Sequence, residues 1–309
     1  MIRNQPTVIA TLFVIGTGAL WGFYWVPVRE LASLGLQGAW GTLGIVAMAT
    51  LLLSPFAYIA RDRLRASHPI ALASVALGGF AFALYSIGFL YGRVAIIAIL
   101  FFLTPVWSTL IGRYVMGWPT SWMRIAALVF GIGGLALILG ADGEVPVPRN
   151  FGEWLGLISG LLWSVATTGI RTKSDTGPGE TAFVFSAGAC LGCLFLAPML
   201  GPMPSVLTAT AAPILGWTLA AGGLWWGLSM AALMWAAARL EPARVGILLM
   251  AEVLVGATSA ALIAGEHLGQ LELIGGALVL CAGVLEVWPA RQASPDHPAP
   301  TASRHNGDA

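Results

Sequence analysis

Long apolar runs follow one another almost end to end along this chain, broken only by short clusters of charge, proline and glycine. A helix of about 20 apolar residues crosses the hydrocarbon layer of a bilayer, so these runs constrain the fold more than any other feature. Ten can be cut: Thr7–Pro27, Gln37–Ile59, Ile70–Leu90, Val94–Gly112, Trp122–Ala141, Gly152–Ile170, Thr181–Leu200, Ile214–Ala237, Val245–Gly265 and Leu271–Trp288. A soluble globule must clothe itself in polar groups, with roughly a quarter of its residues charged. Here 9% are charged and 58% are apolar. The chain reads as an all-α integral membrane protein with ten transmembrane helices. The first run is too long for a cleavable leader and lacks a small-residue cleavage site. No connection is long enough for a soluble domain, and residues 289–309, rich in Pro, Ala and Ser, read as a disordered tail.

The 15 basic residues nearly balance the 14 acidic ones, which excludes the dense basic face of a nucleic-acid binder. Their sorting sets an orientation by the positive-inside rule. Arg3, Arg61, Arg63, Arg65, Arg113, Arg124, Arg171, Lys173, Arg239, Arg244, Arg291 and Arg304 fall on one side of a ten-span chain, and only Arg29, Arg93 and Arg149 on the other. Both termini are therefore expected in the cytoplasm, in the cell membrane (for a bacterium, the inner membrane).

The sequence also repeats. Leu52-Leu53-Ser54-Pro55 near the end of span two matches Phe195-Leu196-Ala197-Pro198 in span seven. Trp21 and Arg29 match Trp163 and Arg171, and Gly78-Gly79 match Gly222-Gly223. A five-helix repeat is odd-numbered, so its second copy enters the membrane inverted, a pattern typical of transporters. The expected organisation is a first repeat over 1–142, a connection over 143–151, a second repeat over 152–288 and the tail.

The Trp21-Gly22 pair, the Thr104-Pro105-Val106 run, Gly265-Glu266 closing span nine, Gly275-Gly276 and Ala282-Gly283 resemble the EamA type of the drug/metabolite transporter superfamily, over about residues 7–288. Two positions depart from that pattern: Glu252-Val253 stands where Glu-Pro is common, and Gly117-Trp118 where Gly-Glu is common. The resemblance implies a 5+5 helix fold and a central cavity lined by spans one, three, four, six, eight and nine.

Glu252 is the sharpest candidate for chemistry. It lies about seven residues into span nine, roughly 10 Å from the cytoplasmic end at 1.5 Å per residue. An ionised carboxylate there is costly and a protonated one tolerable, which suits a proton-coupling group; the competing reading is a structural carboxylate bonded between helices. Aromatic stripes supply candidate substrate-binding residues: Trp21 and Trp25 on span one, matched by Trp163 and Thr167 on span six, and Phe82 and Tyr85 on span three, matched by Trp226 and Ser229 on span eight. Trp107, beside the Thr104-Pro105-Val106 run, joins them, with packing as the competing reading for each. Pro105 is a candidate hinge. Arg29, Arg93 and Arg171 are candidate gates that could recruit an anionic group, or else residues snorkelling at the membrane edge. Glu286 is expected to serve packing. Glycines spaced by four, as in Gly152/Gly156/Gly160, let helices approach closely. Cys190 and Cys193 sit in an apolar run without a histidine, so neither a metal site nor a disulfide is expected.

No phosphate-binding loop or zinc-protease motif is present, and no enzyme activity, cofactor or metal is expected. The reading that results is a secondary active transporter of small metabolites such as amino acids or related amphipathic compounds, working by alternating access and coupled to protons. Export is the expected direction, although no residue sets it. An intramembrane lipid-modifying enzyme and a non-transporting membrane subunit are the alternatives. Expected partners are the small-molecule cargo, the lipid bilayer and protons, with a homodimer as the assembly left open.

Overall fold

The computed structural model describes residues 5–117, 121–141, 147–173, 177–205, 208–237, 239–240 and 242–287. Inside a bilayer the backbone must satisfy its own hydrogen bonds, and the described residues do so as helices, with no strand among them. In order these are α1 (Gln5–Trp21), α2 (Trp25–Ser33), α3 (Trp40–Ile59), α4 (Arg61–Ala66), α5 (Pro69–Gly88), α6 (Val94–Phe101), α7 (Thr104–Leu110) and α8 (Trp122–Leu139). The second half holds α9 (Phe151–Lys173), α10 (Pro178–Leu200), α11 (Thr208–Ala220), α12 (Met230–Ala237), α13 (Pro242–Leu249), α14 (Ala251–Ile263) and α15 (Gln270–Val287). Wider π-helical turns extend α7 over Ile111–Val115 and join α11 to α12 over Ala221–Ser229.

Seven stretches among the described residues are long and apolar enough to cross a membrane: Thr7–Ser33, Trp40–Ile59, Pro69–Gly88, Val94–Val115, Trp122–Leu139, Pro178–Leu200 and Thr210–Ala236. Ile247–Ile263 and Gln270–Leu285 are apolar but shorter. Helix α9 spans 23 residues and carries Glu153 near its start and Arg171 and Lys173 at its end. The chain is a multi-pass, all-α membrane protein.

Three stretches are helices broken in the middle. Between α1 and α2, Gly22–Tyr24 form a turn. Pro27 lacks the N–H that would reach the Phe23 carbonyl, and its ring crowds that carbonyl, so one continuous helix is disfavoured there. Between α6 and α7 the turn falls at Phe102–Leu103, where Pro105 does the same to Phe101 and then restarts the helix from its first turn, a position that suits proline. Between α13 and α14 the break is at Met250, without a proline. The Met250 carbonyl accepts from Val253 N–H at 3.1 Å, so the restart tightens into a shorter-range bond.

Small residues set the packing between the halves. A side chain at Gly79 of α5 would collide with the Phe185 carbonyl of α10, and one at Gly222 with the Ile45 carbonyl of α3. Helices α8 and α15 meet reciprocally: a Cβ on Gly134 would fall 2.6 Å from the Gly275 carbonyl oxygen, and one on Gly275 would fall 2.6 Å from that of Gly134. Gly117 and Gly265, each 13 residues beyond Thr104 and Glu252 respectively, both take left-handed backbone angles, with φ of +67° and +66°.

Candidate functional site

The broken helices frame a cavity of about 280 Å³. Span one gives it Thr17 and Trp21, α5 gives Val75 and Phe82, and the α6–α7 break gives Phe101, Phe102 and Thr104. From the second half come Trp163, Thr167 and Ile170 on α9, Thr181, Ala182 and Phe185 on α10, Met230, Leu233 and Met234 on α12, and Val245, Leu249 and Glu252 on α13 and α14. The walls are almost wholly apolar or aromatic, relieved by threonine hydroxyls and by one carboxylate. Phe82 is the hub: its ring meets Trp21, Phe101, Trp163 and Phe185 edge to face, with centroids 5.0–5.3 Å apart. That geometry sets the positive ring edge of one residue against the negative face of another.

Glu252 sits in the first turn of α14, 5% exposed, and accepts a hydrogen bond from the Tyr85 hydroxyl at 3.1 Å. Two features offset the cost of burying it. The amino end of its own helix favours a negative charge, and the phenol supplies one of the bonds that water would otherwise make.

One end of the molecule gathers the Arg29 region of α2, the α5–α6 turn and the residues after α14; the opposite end gathers Arg63 of α4 and Glu180 of α10. From the cavity toward the Arg29 end, side chains of span one close the path in layers. The Trp21 indole donates to Ser229 Oγ at 2.9 Å. The Tyr24 hydroxyl accepts from the Trp226 indole at 2.8 Å and from Ser86 at 3.2 Å, and Ser86 is bonded to Thr42 at 2.8 Å. The Trp25 indole donates to Ser259 at 2.9 Å. Carbonyls near the Gly22–Tyr24 break are also used: Leu20 accepts from the Trp225 indole at 2.8 Å and Gly22 from Ser259 at 3.1 Å.

Beyond these layers Arg29 forms a latch. Its Nη2 reaches Glu266 Oε1 at 2.8 Å and the Gly92 carbonyl at 3.1 Å, while its Nε donates to the Phe89 carbonyl at 3.0 Å. The other Glu266 oxygen accepts from Ala95 N–H at 3.5 Å, at the start of α6. Arg93 lies nearby and is bonded through both terminal nitrogens to Glu272. Hydrogen bonding to that carboxylate raises the Arg93 pKa above its ordinary value. At the opposite end the Arg63–Glu180 contact is longer, 3.4 Å, with the arginine 77% exposed.

Of the residues singled out from sequence, Trp21, Phe82, Trp163, Thr167 and Glu252 line the cavity. Tyr85 touches it through Glu252. Trp226 and Ser229, expected to face the cavity, instead lie in the layers that close it; Trp226 is fully buried, its ring centroid 5.9 Å from that of Trp21. Trp25 lies one layer further out. Trp107 packs on a separate cluster around Leu100 and Val279, and its indole nitrogen is buried without a hydrogen-bond partner. Pro105 stands at the break in span four, as a hinge would. Arg29 and Arg93 each pair with a carboxylate of the chain itself, Glu266 and Glu272. Glu30 is exposed. Arg171 ends α9, and its side chain, like that of Glu286 and the residues of the 289–309 tail, lies outside the described residues.

Sequence reasoning passed over the α10 wall (Thr181, Ala182, Phe185) and the carboxylate partners Glu266 and Glu272. The signal for the latch was present in the Gly265-Glu266 pair, which was read only as part of a family motif. Thr17, four residues before Trp21 on the same helix face, could also have been found.

Comparison with known proteins fits this architecture. Residues 8–140 match the EamA-like transporter family, which covers the Trp21-Gly22 and Thr104-Pro105-Val106 segments that carried the resemblance in the first half. One solved structure, described only as a crystal structure of a protein, superposes with a TM-score of 0.56 over 90% of this chain and 98% of its own, at 14% identity. A likeness that remote bears on the fold alone. No curated protein matches the sequence.

Proposed function

We propose that this EamA-like chain is a secondary carrier that moves a small amphipathic molecule across the membrane by alternating access. In this reading ten spans form two inverted five-helix repeats, within 1–142 and 152–288, and the Phe82–Glu252 cavity between them holds the cargo. The observation that carries it is the cavity itself, bounded by three broken helices and shut in layers toward the Arg29 end. Matched contacts support the repeat: Gly79 on α10 against Gly222 on α3, reciprocal Gly134 and Gly275, breaks before Thr104 and Glu252, and paired left-handed glycines at 117 and 265. Two packings related by such a repeat have similar energies, so exchanging them moves the opening from one end to the other.

The distribution of basic residues assigns the Arg63 end to the cytoplasm, with both termini there. In this reading the layers and the latch close the outer end of the cavity. Glu252 is the proposed coupling group. Water reaching the cavity favours its ionised form and closure favours the protonated one, which links proton binding to conformation.

The test is uptake into proteoliposomes of a panel of amino acids, amines and related metabolites, with and without an imposed pH gradient. Concentrative, gradient-driven movement of at least one compound is expected, together with its loss in Glu252→Gln protein that elutes as a single folded species. A Glu252→Gln carrier that still concentrates its cargo at the wild-type rate would remove Glu252 from coupling. A wild-type protein that moves nothing would sink the carrier reading.

A further inference from the structure

The cavity's chemistry narrows the cargo further than its size does. At about 280 Å³ it has room for roughly nine waters at about 30 Å³ each, and so for a molecule of roughly ten to fifteen non-hydrogen atoms. Among the described side chains that line it, Glu252 alone carries a charge. A cargo bearing a carboxylate would meet no cationic side chain among the described lining residues, and a carboxylate that repels it. Among the described guanidiniums, Arg29 is bonded to Glu266, Arg93 to Glu272 and Arg63 to Glu180. A cargo bearing an ammonium meets the reverse situation, with Glu252 as counter-ion and the faces of Trp21 and Trp163 beside it. Cations are attracted to aromatic faces, to tryptophan most of all. The hydroxyls of Thr104 and Thr167 can accept the ammonium's remaining N–H bonds.

Resting on the carrier reading above, we propose that the cargo is an organic amine: a small apolar or aromatic body with one ammonium group and no carboxylate. The ammonium pairs with Glu252, and the body lies in the aromatic box around Phe82. This separates the chain from carriers of intact amino acids, whose second charge has no place here.

Three ligands with one body and different charge decide the matter: phenethylamine, phenylalanine and 3-phenylpropionate. Their binding to the purified full-length protein can be followed by calorimetry and by quenching of tryptophan fluorescence, since Trp21 and Trp163 line the cavity. Phenethylamine is expected to bind at least tenfold more tightly than either carboxylate ligand, and Glu252→Gln to weaken it at least tenfold. The three-ligand ranking on the wild-type protein needs no variant, so the proposal stays falsifiable even if Glu252→Gln fails to fold. Equal or tighter binding of phenylalanine or phenylpropionate, or no binding of phenethylamine, overturns the proposal and leaves the carrier reading standing. Tight amine binding without any flux in liposomes has the opposite consequence, upholding the site and removing transport.

Discussion

Removing the charge of Glu266 while keeping its shape should loosen the closed end, and the geometry sets the size of the effect. The Arg29–Glu266 contact is 2.8 Å, with side chains 31% and 11% exposed. Unit charges 4 Å apart near a protein surface attract by about 4 kcal/mol before screening. Fully exposed pairs keep only about 0–1 kcal/mol of this, whereas a hydrogen bond to a charged group is worth about 1.5–3 kcal/mol. A pair with one nearly buried partner falls between, so Glu266→Gln should weaken the latch by about 2 kcal/mol. If the latch breaks whenever the Arg29 end opens, that loss multiplies the open fraction about 30-fold. The assay is labelling of a reporter cysteine at Ser259, 4% exposed behind the latch, in protein lacking Cys190, Cys193 and Cys281. A membrane-impermeant maleimide added from outside should react on the order of tenfold faster or more when Glu266→Gln is present. A charge swap, Arg29→Glu with Glu266→Arg, should restore less than half of the closure, because a glutamate cannot donate to the Phe89 and Gly92 carbonyls as Arg29 does. An unchanged labelling rate in folded Glu266→Gln protein would refute the latch.

Two further expectations follow from the breaks and the charges. Ala251→Pro, at the first position of α14, should cost clearly less than Ala257→Pro, inside the same helix, which should cost about 3 kcal/mol or more; thermal unfolding followed by circular dichroism separates them. A cysteine at Val147 should label from outside the cell and one at Ser67 only after permeabilisation, and the reverse pattern would invert the orientation drawn from the basic residues.

The membrane class was fully legible, because charge scarcity and run length are properties of composition that no packing detail can reverse. Helix ends were less so. Span one reads as a single run to Pro27, yet the structure turns at Gly22–Tyr24 and continues helical to Ser33, because proline disturbs the carbonyl four residues behind it. At Glu252-Val253, noted from sequence only as a departure from a common Glu-Pro pair, the chain breaks just before, at Met250, without a proline. Packing against neighbouring helices can hold such a break where local propensity does not ask for it. In the site, Glu252 and the Trp21, Phe82, Trp163 set could be named because an acid in an apolar run and aromatics at helical spacing are visible in one dimension. Which aromatics line the cavity and which close it was not visible: Phe82 and Trp226 stand at repeat-related positions and differ only in the depth at which neighbouring spans meet them. Arg29 and Glu266, 237 residues apart, could be paired only by the fold.

Polar contacts described for span one and for α9 differ in what they hold together. Span one spends its polar side chains on span eight and span nine: Trp21 on Ser229, Tyr24 with Trp226, Trp25 on Ser259 and Arg29 on Glu266. Helix α9 carries Ser164, Thr167 and Thr168, whose hydroxyls bond carbonyls of their own helix, with a further bond from Ser164 to the Thr104 carbonyl. Bonds within one helix do not change when helices part, so they contribute nothing to holding an end shut. Bonds between helices are lost on opening, at about 0.5–1.5 kcal/mol for each neutral one and more for the ion pair. Three indole and phenol contacts together with the latch therefore favour closure at the Arg29 end by several kcal/mol; the ion pair described at the other end, Arg63–Glu180, is longer and solvent-facing. For the proposed carrier, opening the Arg29 end would require cargo or a proton to contribute a comparable free energy, since a ligand shifts such an equilibrium only by its difference in affinity for the two states. In the proposed cycle Glu252 would act from the first turn of α14, the same helix that carries Ser259, the acceptor for Trp25, so any shift of that helix on protonation would reach the layer where the closed end begins.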